Sequence, residues 1–183
     1  MSRLLIVSNR LPVNIEKRGG KYSVQPSVGG LATGLGSFYK SYDSLWIGWP
    51  GIVPEASDDV MEIETAIRAE NCVPVFLSRR EVEDYYYGFC NKTIWPLFHY
   101  FSQYTVYSKE LWDVYRQANQ AFCNKVMEVA EPGDIIWIHD YQLMLLPQML
   151  RDLMPDVAIG FFLHIPFPSF EIFRQLPWRS EVI

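Results

Sequence analysis

The sequence predicts an α/β fold, a Rossmann-like parallel sheet with helices on both faces. Three observations carry this. Strand-like and helix-like segments alternate along the chain. The core strands are uniformly apolar rather than alternating, as in strands buried on both faces. Polar residues gather where those strands end: Asn9-Arg10, Trp49, His139-Asp140 and His164. In open parallel sheets, ligands bind outside the carboxyl ends of the strands, so these residues are the first candidates for a site.

The elements follow in order. Leu4–Ser8 is a short β-branched-rich run closed by Asn9, Arg10, Leu11 and Pro12. Val13–Lys17 and Lys21–Gln25 flank Arg18-Gly19-Gly20 and read as a hairpin. Ser27 to Gly36 is a glycine-rich turn opening onto a helix that ends near Tyr42. Leu45–Trp49 is a second core strand, stopped by Pro50-Gly51. Ser57–Glu70 reads as a helix with Asp58 and Asp59 in its first turn. Val73–Leu77 is a third strand. Ser78-Arg79-Arg80-Glu81 has the spacing of a capping box and starts a helix carrying Tyr85, Tyr86, Tyr87 and Phe89. A second short helix follows around Ile94–Tyr100. Leu111, Tyr115, Ala118, Phe122, Val126 and Val129 mark a long amphipathic helix over Lys109–Val129. Ile135–Ile138 and Ala158–Leu163 are buried strands, separated by a helix over Leu145–Met154 whose first turn tolerates Pro147. A further helix begins at Phe170–Leu176.

The chain has 183 residues, of which 49% are apolar, so there is material for a sizeable core and disorder is excluded. With 16 Lys and Arg against 21 Asp and Glu, the net charge of −5 argues against a nucleic-acid partner held by a broad basic field. A bound anion must then be met by a few placed cations. Cys72, Cys90 and Cys123 are widely spaced and form no C-x-x-C, which fits a reducing, cytoplasmic location. No stretch reaches 18 uncharged apolar residues, so no membrane partner is expected.

Each candidate has a bland counterpart. Arg10 reads either as a fork for phosphate or carboxylate or as a surface arginine paired with an acid. Gly29-Gly30 reads either as a cradle where main-chain N–H groups approach a ligand or as a plain turn. It is not a G-x-G-x-x-G fingerprint, which counts against a nucleotide-binding oxidoreductase, and no Gly-Lys-Ser/Thr occurs. Three consecutive tyrosines point in three directions on a helix, so not all are buried. His139, Asp140 and His164 lack a further ligand at metal-site spacing, and no G-x-S-x-G appears.

Several blocks resemble the trehalose-6-phosphate synthase family (glycosyltransferase family 20). They are Ser8-Asn9-Arg10-Leu11-Pro12-Val13, Gly29-Gly30-Leu31, Trp46-Ile47-Gly48-Trp49-Pro50-Gly51 and Tyr85-Tyr86-Tyr87-Gly88-Phe89-Cys90-Asn91. Trp95-Pro96-Leu97-Phe98-His99-Tyr100, Ile135-Ile136-Trp137-Ile138-His139-Asp140-Tyr141 and Gly160 to Pro168 complete the set, in the family's order. The resemblance implies a retaining GT-B enzyme joining glucose from a nucleotide-glucose, usually UDP-glucose, to glucose 6-phosphate. No metal or other cofactor is implied. Residues 1–183 then form an incomplete N-terminal, acceptor-binding Rossmann-like domain, inactive without the nucleotide-sugar half. By motif, Arg10 resembles the ligand of the acceptor phosphate, with Tyr86 and Trp95 beside it; a one-residue slip would select Tyr85 or Tyr87 instead. Gly29 and Gly30 resemble the loop against the donor sugar and diphosphate. Asp140 resembles the carboxylate that binds acceptor hydroxyls, and His164 the residue at the donor sugar. A non-catalytic, sugar-phosphate-sensing relative is the competing reading. Homo-oligomerisation and a C-terminal trehalose-phosphatase domain in the parent protein are left open by the sequence.

Overall fold

A computed structural model describes residues 2–19, 21–27, 30, 34–35 and 43–182. Five parallel strands form one sheet in the order β5-β4-β1-β6-β7. They are β1 (Leu4–Arg10), β4 (Ser44–Trp49), β5 (Cys72–Pro74), β6 (Ile135–His139) and β7 (Ala158–Phe162). The hairpin strands β2 (Val13–Arg18) and β3 (Lys21–Pro26) pair separately, antiparallel. From β1 the chain builds outward through β4 to β5, then returns to the other side of β1 for β6 and β7. The reversal falls between β1 and β6, where an open sheet leaves a crevice at its carboxyl edge.

Apolar cores lie on both faces of the sheet. On one, Leu5, Val7, Ile47, Ile136 and Ile138 pack with Tyr115, Phe122 and Val126 of the long helix α4 (Lys109–Val129). On the other, Ile6 and Trp46 pack with Ile63 and Ile67 of α1 (Ser57–Arg68). These pairs occupy one helical stripe each and bury fully, as the periodicity requires. The chain entry to β1 is fixed by Arg3, whose guanidinium grips the buried Asp134 carboxylate through two hydrogen bonds of 3.2 and 2.8 Å. Among the described residues, no helix is long and apolar enough to cross a membrane.

Four sequence expectations need correction. The third strand runs over Cys72–Pro74, earlier than Val73–Leu77, because β4 offers it only the register Trp46 to Gly48. No break separates the tyrosine-bearing helix from the next. A single helical run starts at α2 (Arg79–Glu81), passes through a π-helical stretch Val82–Ile94 and ends in α3 (Trp95–Phe98). The capping box at its start is present: Ser78 Oγ accepts from Glu81 N and Glu81 Oε2 accepts from Ser78 N. The final strand was expected to be buried, yet β7 is the sheet edge, and Phe161 and Phe162 are 40% and 50% exposed. The helix expected over Phe170–Leu176 is shorter than its pattern: α6 spans Phe170–Phe173, and a further short helix, α7 (Arg179–Val182), was not expected. The helix between β6 and β7, α5 (Leu146–Leu153), starts at its Pro147-containing turn as expected. The helix expected before Tyr42 lies largely outside the described residues.

At its carboxyl end β1 slips register against β4 between Val7 and Arg10. Such a bulge re-aims the side chains beyond it. The backbone of Ser8 to Leu11 thereby folds down onto Gly48 of β4. A Cβ at position 48 would stand 2.9 Å from both Ser8 O and Leu11 N. Those are backbone atoms that cannot swing aside. Gly48→Ala should therefore destabilise the protein by about 1–3 kcal/mol, the usual cost of overpacking. The urea midpoint measures this; an unchanged midpoint would mean that the β1 tip yields freely.

Candidate functional site

The site forms where β1 and β6 end side by side. Ser8 ties down the β1 tip: its hydroxyl accepts from Trp46 Nε1 (2.7 Å) and donates to Arg10 O (2.8 Å). Leu11 N donates to Trp49 O, so the strand end stays hydrogen-bonded to β4 despite the bulge. Asn9 is buried, and its Oδ1 accepts from the Tyr85 hydroxyl at 3.1 Å. Arg10 emerges into the crevice. Its guanidinium lies 4.9 Å from the centre of the Trp49 ring, a cation–π contact. It also rests over Gly51, where φ is +81° and a Cβ would come within 2.3 Å of the guanidinium carbon. Among the described residues, no ion pair neutralises Arg10. Burial lowers its pKa, opposed by the nearby phenols of Tyr86 and Tyr87. The paired-surface-arginine reading thus has no partner to support it here.

Across the crevice, Asp140 follows β6 with φ +75° and ψ 168°. That region is nearly closed to side chains larger than glycine, and its strain concentrates at functional sites. The conformation is held from several sides. Asp140 N donates to Phe162 O (2.7 Å), and Asp140 Oδ1 accepts from Tyr141 N (2.9 Å) and His164 N (3.1 Å). Burial raises the carboxyl pKa, and those two backbone bonds and His164 pull it down. His139, one residue earlier, is 1% exposed. Its Nδ1 lies 3.0 Å from His164 Nε2, and the rings stack at 5.2 Å. Burial, and secondly His164, push the His139 pKa down to about 4.

A cavity of about 220 Å³ joins these groups, with Arg10, Gly30, Tyr86, His139, Asp140 and Gln142 in its wall. The tyrosine run divides as the helical geometry demands. Tyr85 is fully buried, Tyr87 is 52% exposed, and Tyr86, between them in exposure, faces the cavity. Tyr86 is therefore the member of the run that meets the site. Trp95 does not line this cavity; it is exposed and stacks on His99 at 4.1 Å. His164 is outside the wall too, but it is joined to both His139 and Asp140. Gly29 lies outside the described residues.

The sequence reading missed Gln142 and the polar web behind the site. Tyr85 donates to Asn9 and, at 3.3 Å, to Gln142 O. Asn119 Nδ2 donates to Gln142 O, and Tyr115 donates to Tyr141 O while accepting from Met144 N. Tyr141 donates to Asn91. These side chains join the helical run, α4 and the loop after β6. Nothing in their local spacing distinguishes them from core aromatics. Among the described residues, no group of three or more His, Cys, Asp or Glu could hold a metal ion.

A family model described as glycosyltransferase family 20 matches residues 2–183. The chain is 46% identical over 183 residues to "Alpha,alpha-trehalose-phosphate synthase [UDP-forming] A" of Dictyostelium discoideum, covering 99% of this chain and 25% of that protein. It is 43% identical over 192 residues to a bifunctional trehalose-6-phosphate synthase/phosphatase of Thermoproteus tenax, again covering 99% of this chain and 25% of the relative. Among solved structures, an alpha,alpha-trehalose-phosphate synthase (UDP-forming) from Burkholderia xenovorans in complex with glucose-6-phosphate superposes with a TM-score of 0.78 at 30% identity. That match covers 99% of this chain and 37% of the other. The chain thus spans about a quarter to two-fifths of the length of the relatives it matches.

The depressed His139 pKa sets a pH dependence. Folding holds this imidazole neutral, so its protonation moves from the ordinary 6.5 to about 4. Between those values the unfolded chain binds more protons than the folded one, and stability rises with pH. The contribution is complete above pH 6.5 and is lost as the pH falls through 4. His139→Asn should therefore lose less stability than the wild type between pH 7 and pH 4.5, as read from urea midpoints at both. Parallel losses would show that His139 is not held neutral.

Proposed function

This chain belongs to glycosyltransferase family 20, and on that premise we propose that it forms the acceptor side of a trehalose-6-phosphate synthase. The reaction transfers glucose from UDP-glucose to glucose 6-phosphate with retention of configuration, giving trehalose 6-phosphate and UDP. The observation that carries this reading is the pairing of Arg10 and Asp140 across one cavity. An uncompensated guanidinium, held on Trp49 and Gly51, offers a planar fork to the acceptor phosphate. Tyr86 stands beside it in the wall. Asp140, on the neighbouring strand tip, has one carboxylate oxygen engaged by the backbone; its other oxygen is assigned to acceptor hydroxyls. A sugar gripped at both ends presents one hydroxyl to the donor in a fixed direction, which is the positioning part of catalysis.

Gly29 and Gly30 are assigned to the donor sugar and diphosphate, and His164 to the donor sugar. Trp95 is assigned beside the acceptor phosphate with Tyr86. In a front-side displacement the leaving phosphate oxygen takes the proton of the incoming hydroxyl. The chain's residues then need only hold both sugars and stabilise developing charge. No metal takes part in this scheme. The nucleotide half lies on the remaining length of the parent protein, which in the Thermoproteus relative also includes a phosphatase. The three described cysteines are free and buried, which supports a cytoplasmic setting.

In the full-length protein, Arg10→Ala should raise the KM for glucose 6-phosphate by about tenfold to a hundredfold, the loss of one charge-assisted contact. Steady-state kinetics with varied acceptor measures it, and an unchanged KM would remove Arg10 from the phosphate. Turnover should also survive EDTA. Loss of activity on chelation, with recovery on adding Mg²⁺, would contradict the metal-free scheme.

A further inference from the structure

We infer that His139 is a positioning residue of the transfer site: it fixes the tautomer and orientation of His164, so that His164 turns a ring N–H toward the donor sugar. The inference rests on the assignment of His164 to that sugar. Its basis is the 3.0 Å approach of His139 Nδ1 to His164 Nε2, between a fully buried imidazole and an exposed one.

Only one of the two nitrogens in that contact carries a hydrogen. Among the described residues, nothing partners His139 Nε2, which is buried. If His164 donated to His139 Nδ1, neutral His139 would carry its hydrogen on Nε2, a buried donor with nothing to receive it. Orphaned buried N–H groups are rarer than unpaired acceptors. The reverse arrangement leaves only a lone pair at Nε2. His139 therefore donates from Nδ1, His164 accepts at Nε2, and the His164 hydrogen sits on Nδ1. The proton position on one nitrogen of an imidazole is set by the bond that the other makes.

The surroundings hold the pair in place. Trp137 packs against His139 with ring centres 4.5 Å apart, and Phe162 against His164 at 4.6 Å. Asp140 Oδ1 accepts from His164 N and so fixes the His164 backbone beside the pair. Burial keeps His139 uncharged, so it has one proton to give. His139 thus couples the β6 tip, which carries the acceptor carboxylate, to the loop after β7, which faces the donor.

The amide nitrogen of Asn falls near the Nδ1 position of His, and that of Gln near Nε2. The test uses His139→Asn, His139→Gln and His139→Phe in the full-length protein. The Gln and Phe variants should lose about tenfold or more in kcat, with the glucose 6-phosphate KM within about twofold of wild type. His139→Asn should restore most of that loss. Calorimetric titration should show weaker UDP-glucose binding in the Gln and Phe variants with UDP binding unchanged, which also reports that they fold. Adding His139→Phe to His164→Ala should cost nothing further.

Retention by Gln with loss by Asn would overturn the inference, because Nε2 would then be acting on a ligand. A raised acceptor KM, weaker UDP binding in all three variants, or full activity in all three would overturn it as well. If His164→Ala alone leaves UDP-glucose binding and kcat intact, the assignment of His164 fails; if it impairs both while the His139 variants do not, only the inference fails.

Discussion

β1 and β6 hydrogen-bond as neighbours, Leu4 to Val7 against Ile135 to Ile138, although two sheet strands, a hairpin and the long α4 lie between them in sequence. Every feature of the crevice depends on that pairing. It sets the Asn9-Arg10 tip beside the His139-Asp140 tip and fixes which strand ends share a rim. Parallel pairing needs a crossover, and here the crossover elements also build the walls. The helical run that completes the cavity with Tyr86 is part of the same connection.

Behind the rim, buried polar groups are costly unless paired, and most of them are joined in one web. Tyr85, Asn9, Tyr115 and the main chain at Tyr141 and Gln142 are joined by hydrogen bonds, and the helical run and α4 meet through them. The loop after β6 is irregular, but it is fixed by this web and is not a free connection. That explains how Asp140 can hold a backbone conformation that most residues avoid. The strain is met by backbone bonds: Asp140 Oδ1 accepts from Tyr141 N and His164 N, and Asp140 N donates to Phe162 O.

Arg10 and Asp140 illustrate opposite consequences of one cause. Partial removal from water disfavours charge, lowering the arginine pKa and raising the carboxyl pKa. Both groups thereby stand ready for a ligand that restores what water no longer supplies. A sugar phosphate does so at each end, with an anion for the guanidinium and hydroxyl donors for the carboxylate. In a chain of net charge −5, one such cation at a strand tip is a selective address for an anion rather than part of a general field.

The apolar runs and their punctuation by themselves determined the strand and helix order, the parallel sheet and the rim residues Arg10, His139 and Asp140, because burial on two faces leaves a signature in local composition. The motif blocks determined the family, since seven spaced segments in one order are far more restrictive than any one of them. Motif spacing favoured Tyr86 but left a one-residue slip open, and local pattern could not separate Tyr85 and Tyr115 from ordinary core aromatics. That choice belongs to the direction in which each side chain leaves a packed helix. Tertiary structure alone decided that β7 is an exposed edge, that Gly48 and Gly51 are contact surfaces for the β1 tip and for Arg10, and that Trp95 stacks on His99. It also brought His139 against His164. Such contacts join residues far apart in sequence, and distance along the chain carries no record of distance in space.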